Sequence, residues 1–123
     1  MTYTVIIPIY NEERVLPLLL KQLNSLSNKI EVIIIDDGSD DNTHSILKKN
    51  KSFVTLRNKI NRGKGFSIKR GLNIASNQNI ILIDGDLEID IFHIPKFIKS
   101  FEQSNKDVLV GSRWDKKNKT IFE

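Results

Sequence analysis

Two runs of bulky apolar residues, Val32-Ile33-Ile34-Ile35 and Ile80-Ile81-Leu82-Ile83, constrain the fold more than any other feature. A strand with one wet face alternates apolar and polar residues, whereas an unbroken β-branched run asks for cover on both faces. Such strands belong to parallel sheets flanked by helices. The intervening segments supply those helices: Val15, Leu16, Leu19, Leu20, Leu23 and Leu26 recur at helical spacing over residues 13–26, with Pro17 in the first turn. The same reading gives strands at 4–9, 31–36, 53–57, 80–83 and 107–110. Helices follow up to about residue 49, up to about 76 (with Ile68, Leu72 and Ala75 on one side) and over 91–104. Strand-helix alternation of this kind predicts an α/β fold, a doubly wound, mostly parallel sheet with helices on both faces and right-handed crossovers.

At 123 residues the chain is one domain by size, with residues 1–114 carrying the fold and 115–123 reading as a polar basic tail. The absence of cysteine removes disulfides, thiolate metal sites and cysteine nucleophiles. No apolar run approaches the ~18 residues of a membrane span, and Val5-Ile6-Ile7 runs into Pro8 without a basic leader. A cytoplasmic address is expected, with peripheral contact at the inner membrane face.

The chemistry collects where the strands end. Asp84, Asp86 and Glu88 follow the 80–83 run at alternate positions, and alternate residues of an extended segment point the same way. Gly85 lets the backbone turn between them. Converging carboxylates with no neutralising side chain beside them in the sequence suit a hard divalent cation, Mg2+ or Mn2+, completed by substrate phosphates. The bland alternative is a solvated acidic turn; the position at the carboxyl end of a buried strand favours the metal, because open α/β sheets bind ligands there. The same rim gathers Tyr10, Asn11 and Glu12 after the first strand, Asp36 and Asp37 after the second, and Gly111-Ser112-Arg113 after the fifth. A rim this acidic suits a nucleotide whose base and ribose donate to carboxylates, Asp37 among them. Residues Asp40, Asp41, Asn42 and Thr43 read as a turn and helix cap. The segment Arg62-Gly63-Lys64-Gly65 lacks the spacing of a P-loop; helix-capping glycines among solvated cations account for most of it, with a phosphate contact by Arg62 or Lys64 the alternative. His44 and His93 read as helix-surface residues and Trp114 as a packing or interface residue.

Assembled, Val5-Ile6-Ile7-Pro8-Ile9-Tyr10-Asn11-Glu12-Glu13, Ile33-Ile34-Ile35-Asp36-Asp37-Gly38-Ser39-Asp40-Asp41-Asn42-Thr43, Asn61-Arg62-Gly63-Lys64-Gly65, Asp84-Gly85-Asp86 and Val110-Gly111-Ser112-Arg113 resemble the inverting family 2 of GT-A glycosyltransferases. Within it the order looks most like the dolichyl- or polyprenyl-phosphate sugar synthases. The resemblance covers almost the whole chain but only the first half or so of the family's catalytic domain, so a truncated Rossmann-like GT-A fold is expected. It implies a nucleotide pocket lined by Pro8, Tyr10, Glu12 and Asp37 with Lys64 and Asp84 beside it. It further implies a metal at Asp84, Asp86 and Glu88, and Arg113 facing a phosphate; Asp86 and Arg113 are the catalytic candidates. Glu88 stands where the subgroup commonly has Gln. The implied donor is a UDP- or GDP-sugar and the implied acceptor a lipid phosphate, with no nucleic-acid partner and with self-association through an exposed edge. A phosphate acceptor is already anionic and needs cations such as Arg113, Lys116, Lys117 and Lys119 rather than a general base. Two other readings stay open: a non-catalytic nucleotide-sugar-binding module or half of a split enzyme, and a phosphoacceptor receiver-like domain. The receiver reading requires the acid pair after the first strand, where this chain has Tyr10-Asn11-Glu12.

Overall fold

The computed structural model describes residues 2–87, 90–109, 111–112 and 121–122. They fall into two compact units, Met1–Glu88 and Ile89–Glu123. The first holds a four-stranded parallel sheet of order β3-β2-β1-β4, built from β1 (Tyr3–Ile9), β2 (Ile30–Asp36), β3 (Val54–Arg57) and β4 (Asn79–Leu82). Its helices are α1 (Leu16–Leu23), α2 (Thr43–Lys49) and α3 (Lys64–Ile74). In register, Ile6 lies opposite Ile33 of β2 and Leu82 of β4.

The chain moves outward from β1 through β2 to β3, then jumps back across the sheet to β4. Right-handed crossovers therefore put α1 and α2 on one face and α3 on the other. Val5, Ile7 and Ile34 on the first face, and Ile6, Ile33 and Ile35 on the second, are all fully buried, as an unbroken apolar strand requires. Leu56, Ala75 and Ile80 complete the packing around Ile6, Ile33 and Ile35. Thr4, a polar residue planted in that face, is satisfied by donating to Glu31 Oε1 (2.7 Å). Glu31 also accepts from the Ser76 amide and hydroxyl, each at 2.8 Å, which fastens the end of α3 to the start of β2.

Three expectations change here. The 80–83 run is not buried on both faces: Ile81 is, but Leu82 is 51% exposed, because β4 has a strand on one side only among the described residues. Helix α3 does not seat Leu72 on the sheet; Leu72 is 46% exposed, and the buried residues are Ser67 and Gly71. Small residues one turn apart let the helix backbone approach closely, so that a Cβ on Gly71 would lie 2.8 Å from Ile6 Cγ2 and 3.1 Å from Ile35 Cδ1. Finally, residues 107–109 form no strand, and Val110 lies outside the described residues.

In the second unit Asp90 accepts from the Phe92 amide (3.2 Å) and opens a 3-10 turn, Ile91–His93. This turn runs into α4 (Ile94–Ser104), which ends on Asn105 in the left-handed conformation, φ 54°. Gly111–Ser112 (β5) and Ile121–Phe122 (β6) pair antiparallel, so residues 121–122 are structured where the sequence suggested a tail. Among the described residues no helix is long and apolar enough to cross a membrane.

The close approach at Gly71 is testable. Gly71→Val should destabilise by about 1–3 kcal/mol through overpacking in urea unfolding. Gly65→Ala, where an added Cβ meets nothing within 4 Å, should be neutral or stabilising by up to about 1 kcal/mol.

Candidate functional site

The carboxyl ends of β1, β2 and β4 open into a cavity of about 420 Å³. It is lined by Pro8, Ile9, Tyr10 and Glu12 after β1, Asp37 after β2, Asn61, Gly63 and Lys64 before α3, and Asp84, Gly85 and Asp86 after β4. Seven of these were candidates from the sequence: Pro8, Tyr10, Glu12, Asp37, Lys64, Asp84 and Asp86. The sequence does not single out Ile9, Asn61 or Gly63 as pocket residues, and gives Gly85 the turn between the carboxylates. Glu88 and Arg113 lie outside the described residues, as do Trp114 and the basic residues after it.

The first two loops are stitched together by backbone-to-side-chain bonds. The Asn11 amide donates to Ser39 Oγ (2.9 Å) and Asn11 Oδ1 accepts from the Asp40 amide (2.9 Å). The Glu12 amide donates to Thr43 Oγ1 (3.0 Å), and the Asn42 amide to Glu13 Oε2 (3.1 Å). Asn11 adopts φ 53°, a left-handed turn that Asn tolerates better than most residues. Asp41 forms the turn its sequence suggests, accepting from the Thr43 amide at 2.9 Å just ahead of α2, whose N-cap residue is Asn42.

Asp37 ties in the third loop. Its carboxylate is buried and accepts from Asn58 Nδ2 (2.8 Å), the Arg62 amide (2.7 Å) and the Gly63 amide (2.9 Å). Asn58, itself buried, also donates to Ser67 Oγ (2.9 Å) and accepts from Arg70 Nη1 (2.8 Å). Gly38 permits the approach: it sits at φ 74°, and a Cβ there would fall 2.5 Å from the Asn61 nitrogen. A carboxylate offers about four acceptor positions; the loop occupies three of those on Asp37. Asp36 turns away from this network. It is fully buried, accepts from the Ser39 amide (3.0 Å), and lies 3.7 Å from Arg57 Nε and 3.8 Å from His44 Nδ1.

Opposite stands the β4 turn. A Cβ on Gly85 would lie 2.2 Å from Ile9 Cγ2, so glycine alone lets this turn close onto the end of β1. Asp84 does not stand without a neutralising neighbour, as the sequence suggested: Lys64 Nζ donates to its Oδ1. Twenty residues separate the two, which hid the pair from a local reading. Burial raises the Glu12 carboxyl above its ordinary value, with the charges of Asp86 and then Asp41 adding to the effect. No ready cage of three or more carboxylate or imidazole groups exists among the described residues. The donor set nevertheless fits a hard divalent cation that shares its coordination with a ligand: Asp84 and Asp86 flank the cavity, supply only oxygen, and leave room for phosphate oxygens.

The raised Glu12 gives a pH prediction. The folded chain holds this proton more tightly than the unfolded one, so stability is lost as pH rises from the ordinary value of 4.5 through the folded value. Glu12→Gln should therefore raise Tm at pH 7, with the gain vanishing below pH 4.5, where both states are protonated. A gain unchanged between pH 4 and pH 7 in a thermal melt would rule out this origin.

The model for "Glycosyl transferase family 2" matches residues 4–122. An uncharacterized protein of Methanocaldococcus jannaschii is 40% identical over 117 residues, covering 88% of this chain and 50% of the relative. An undecaprenyl-phosphate 4-deoxy-4-formamido-L-arabinose transferase of Photorhabdus laumondii is 35% identical, covering 97% of this chain and 39% of the relative. Among solved structures, a mannosyltransferase from Pyrobaculum calidifontis in complex with GDP-Man and Mn2+ superposes with TM-score 0.61 at 25% identity, over 68% of this chain and 27% of that one. The chain thus spans half or less of the length of these relatives. With a match running over nearly its whole length, the chain belongs to glycosyl transferase family 2, on the GT-A fold.

Proposed function

We propose that the chain forms the donor-binding part of a metal-dependent, inverting glycosyltransferase that takes a UDP- or GDP-sugar and passes the sugar to a polyprenyl phosphate. The observation that carries this is the meeting of Glu12, Asp37, Lys64, Asp84 and Asp86 in one cavity at the carboxyl ends of parallel strands. Its relatives lend support: one is an undecaprenyl-phosphate 4-deoxy-4-formamido-L-arabinose transferase, and another was solved in complex with GDP-Man and Mn2+.

Each residue has a job the geometry allows. Pro8 and Tyr10 offer an apolar wall and an aromatic face for the base. Asp37 keeps about one acceptor position for a base imide or a ribose hydroxyl, and it fixes the loop that brings Lys64 to the cavity. Asp84 and Asp86 would hold a divalent cation, which when bound would supply Lewis-acid stabilisation of the negative charge left on the diphosphate. Glu88 is assigned as a further ligand and Arg113 as the residue facing a phosphate, both from the family resemblance. Inversion requires in-line attack from the opposite side of the sugar. A phosphate acceptor arrives anionic and asks for cations to place it, which Arg113, Lys116, Lys117 and Lys119 supply in sequence. A polyprenyl acceptor would set this chemistry at the cytoplasmic membrane face.

Calorimetric titration with UDP- and GDP-sugars tests the proposal. At least one donor should bind, more tightly in Mn2+ than in chelator. Asp86→Asn should weaken the Mn2+-dependent binding by at least about tenfold, while Asp41→Asn, which alters the turn ahead of α2, should leave it within about twofold. Equal affinity in Mn2+ and in chelator would refute the metal role of Asp84 and Asp86.

A further inference from the structure

The geometry points to Lys64 as an exchangeable resident cation: its ammonium holds Asp84 until a nucleoside diphosphate and a divalent cation arrive together, and then moves to the diphosphate. This inference rests on the reading of the cavity as a nucleotide-sugar site and deepens it. The two ends of the Lys64–Asp84 pair are anchored differently from the pair itself. The Lys64 backbone is fixed, because the amides of Arg62 and Gly63 are held by the Asp37 carboxylate. The first turn of α3 is pinned as well, with the Ser67 amide and hydroxyl both bonded to the Gly63 carbonyl at 3.2 Å. On the other wall, the turn bearing Asp84 is locked by the contact of Gly85 with Ile9. Between these fixed points reaches a four-carbon side chain with a compact ammonium head, which can swing without disturbing either wall.

The pair is also cheap to break. Its side chains are 60% and 55% exposed, so water screens the attraction to a factor of about two to five in an equilibrium constant. A diphosphate offers the ammonium more charge and more acceptor oxygens than one carboxylate does. While Lys64 stays on Asp84, the cavity holds one neutralised carboxylate beside Asp86 and Glu12, and a divalent cation arriving alone must compete with the ammonium. Once Lys64 leaves for the diphosphate, the Asp84 carboxylate is released on the same wall as Asp86. Cation and nucleotide should therefore each promote the other's binding, by the same factor in either order. The arrangement keeps the chain from filling its metal position before the donor is present.

Three titrations on the whole chain test this: Mn2+ alone, followed by the free-ion paramagnetic resonance signal; UDP and GDP in chelator; and each nucleotide in Mn2+. Lys64→Met should bind Mn2+ alone about two- to fivefold more tightly than the parent. The same variant should bind the better nucleotide in chelator at least about threefold more weakly, and the cooperativity between metal and nucleotide should shrink. Lys64→Arg, which keeps the charge, should restore the parent pattern. In an Asp84→Asn background, Lys64→Met should no longer tighten Mn2+ binding. Unchanged or weaker Mn2+ affinity in Lys64→Met, or undiminished nucleotide affinity, would overturn the exchange while leaving the donor reading intact. A parent chain that binds neither UDP nor GDP under any of these conditions would overturn the donor reading and the exchange with it.

Discussion

The carboxylate of Asp37, buried at the end of β2, is the point on which the site's geometry depends. Through Asn58 Nδ2 and the amides of Arg62 and Gly63 it gathers the whole connection between β3 and α3 onto the sheet. Removing it would strand three donors, two of them main-chain amides whose burial without partners is costly. Everything on that side of the cavity inherits its position from this carboxylate: Asn61, Gly63, and Lys64 at the start of α3. The other side is set by a steric constraint, the fit of Gly85 against Ile9. One polar latch and one close packing contact thus hold cation-bearing and carboxylate-bearing walls at a fixed separation, while the side chains between them remain free to change partners.

The electrostatics follow from that frame. Glu12, Asp84 and Asp86 line one cavity, which would be unfavourable for a folded chain with no compensation. Compensation here is divided: Lys64 covers Asp84, and Glu12 yields by holding its proton more tightly. Asp41, close enough to add to the pressure on Glu12, is itself pulled the other way. Burial pushes it up, but bonds from the Thr43 hydroxyl and from the Thr43 and Glu13 amides outweigh this and lower its carboxyl below the usual value. Such unequal treatment of neighbouring carboxylates is common where a site must receive a charged ligand.

Much of this was legible in the sequence because its signals are strong and local. Unbroken runs such as Val32–Ile35 demand a parallel sheet with two covered faces, and a parallel sheet aligns its strand ends on one rim. From there the grouping of Tyr10, Glu12, Asp37, Asp84 and Asp86 follows. Family membership then excludes the receiver-like reading. What escaped depended on contacts distant in the chain or on residues that carry no apolar signal. Helix α3 packs through Ser67 and Gly71, which a search for large apolar residues passes over in favour of Leu72. The pairing of Lys64 with Asp84 joins loops twenty residues apart. Asp37 could be placed at the rim, but not its three donors, because loop amides have no sequence signature. The exposure of Leu82 depends on what flanks β4, which a run of four apolar residues does not encode. Strands of two residues, such as β5 and β6, are too short to show a period at all.

The central claim is that a nucleoside diphosphate occupies the cavity at the carboxyl ends of the strands. Amide chemical-shift mapping of the isotopically labelled chain, titrated with UDP and GDP in Mg2+, tests it most directly. The account predicts perturbations clustered at residues 9–12, 37–38, 61–64 and 84–86, the segments that line or close the 420 Å³ cavity. A second cavity of about 330 Å³ lies toward the opposite ends of β2 and β3, lined by Leu23, Leu26, Val32, Phe53 and Val54 among others. Perturbations centred there, or none at saturating nucleotide, would contradict the account.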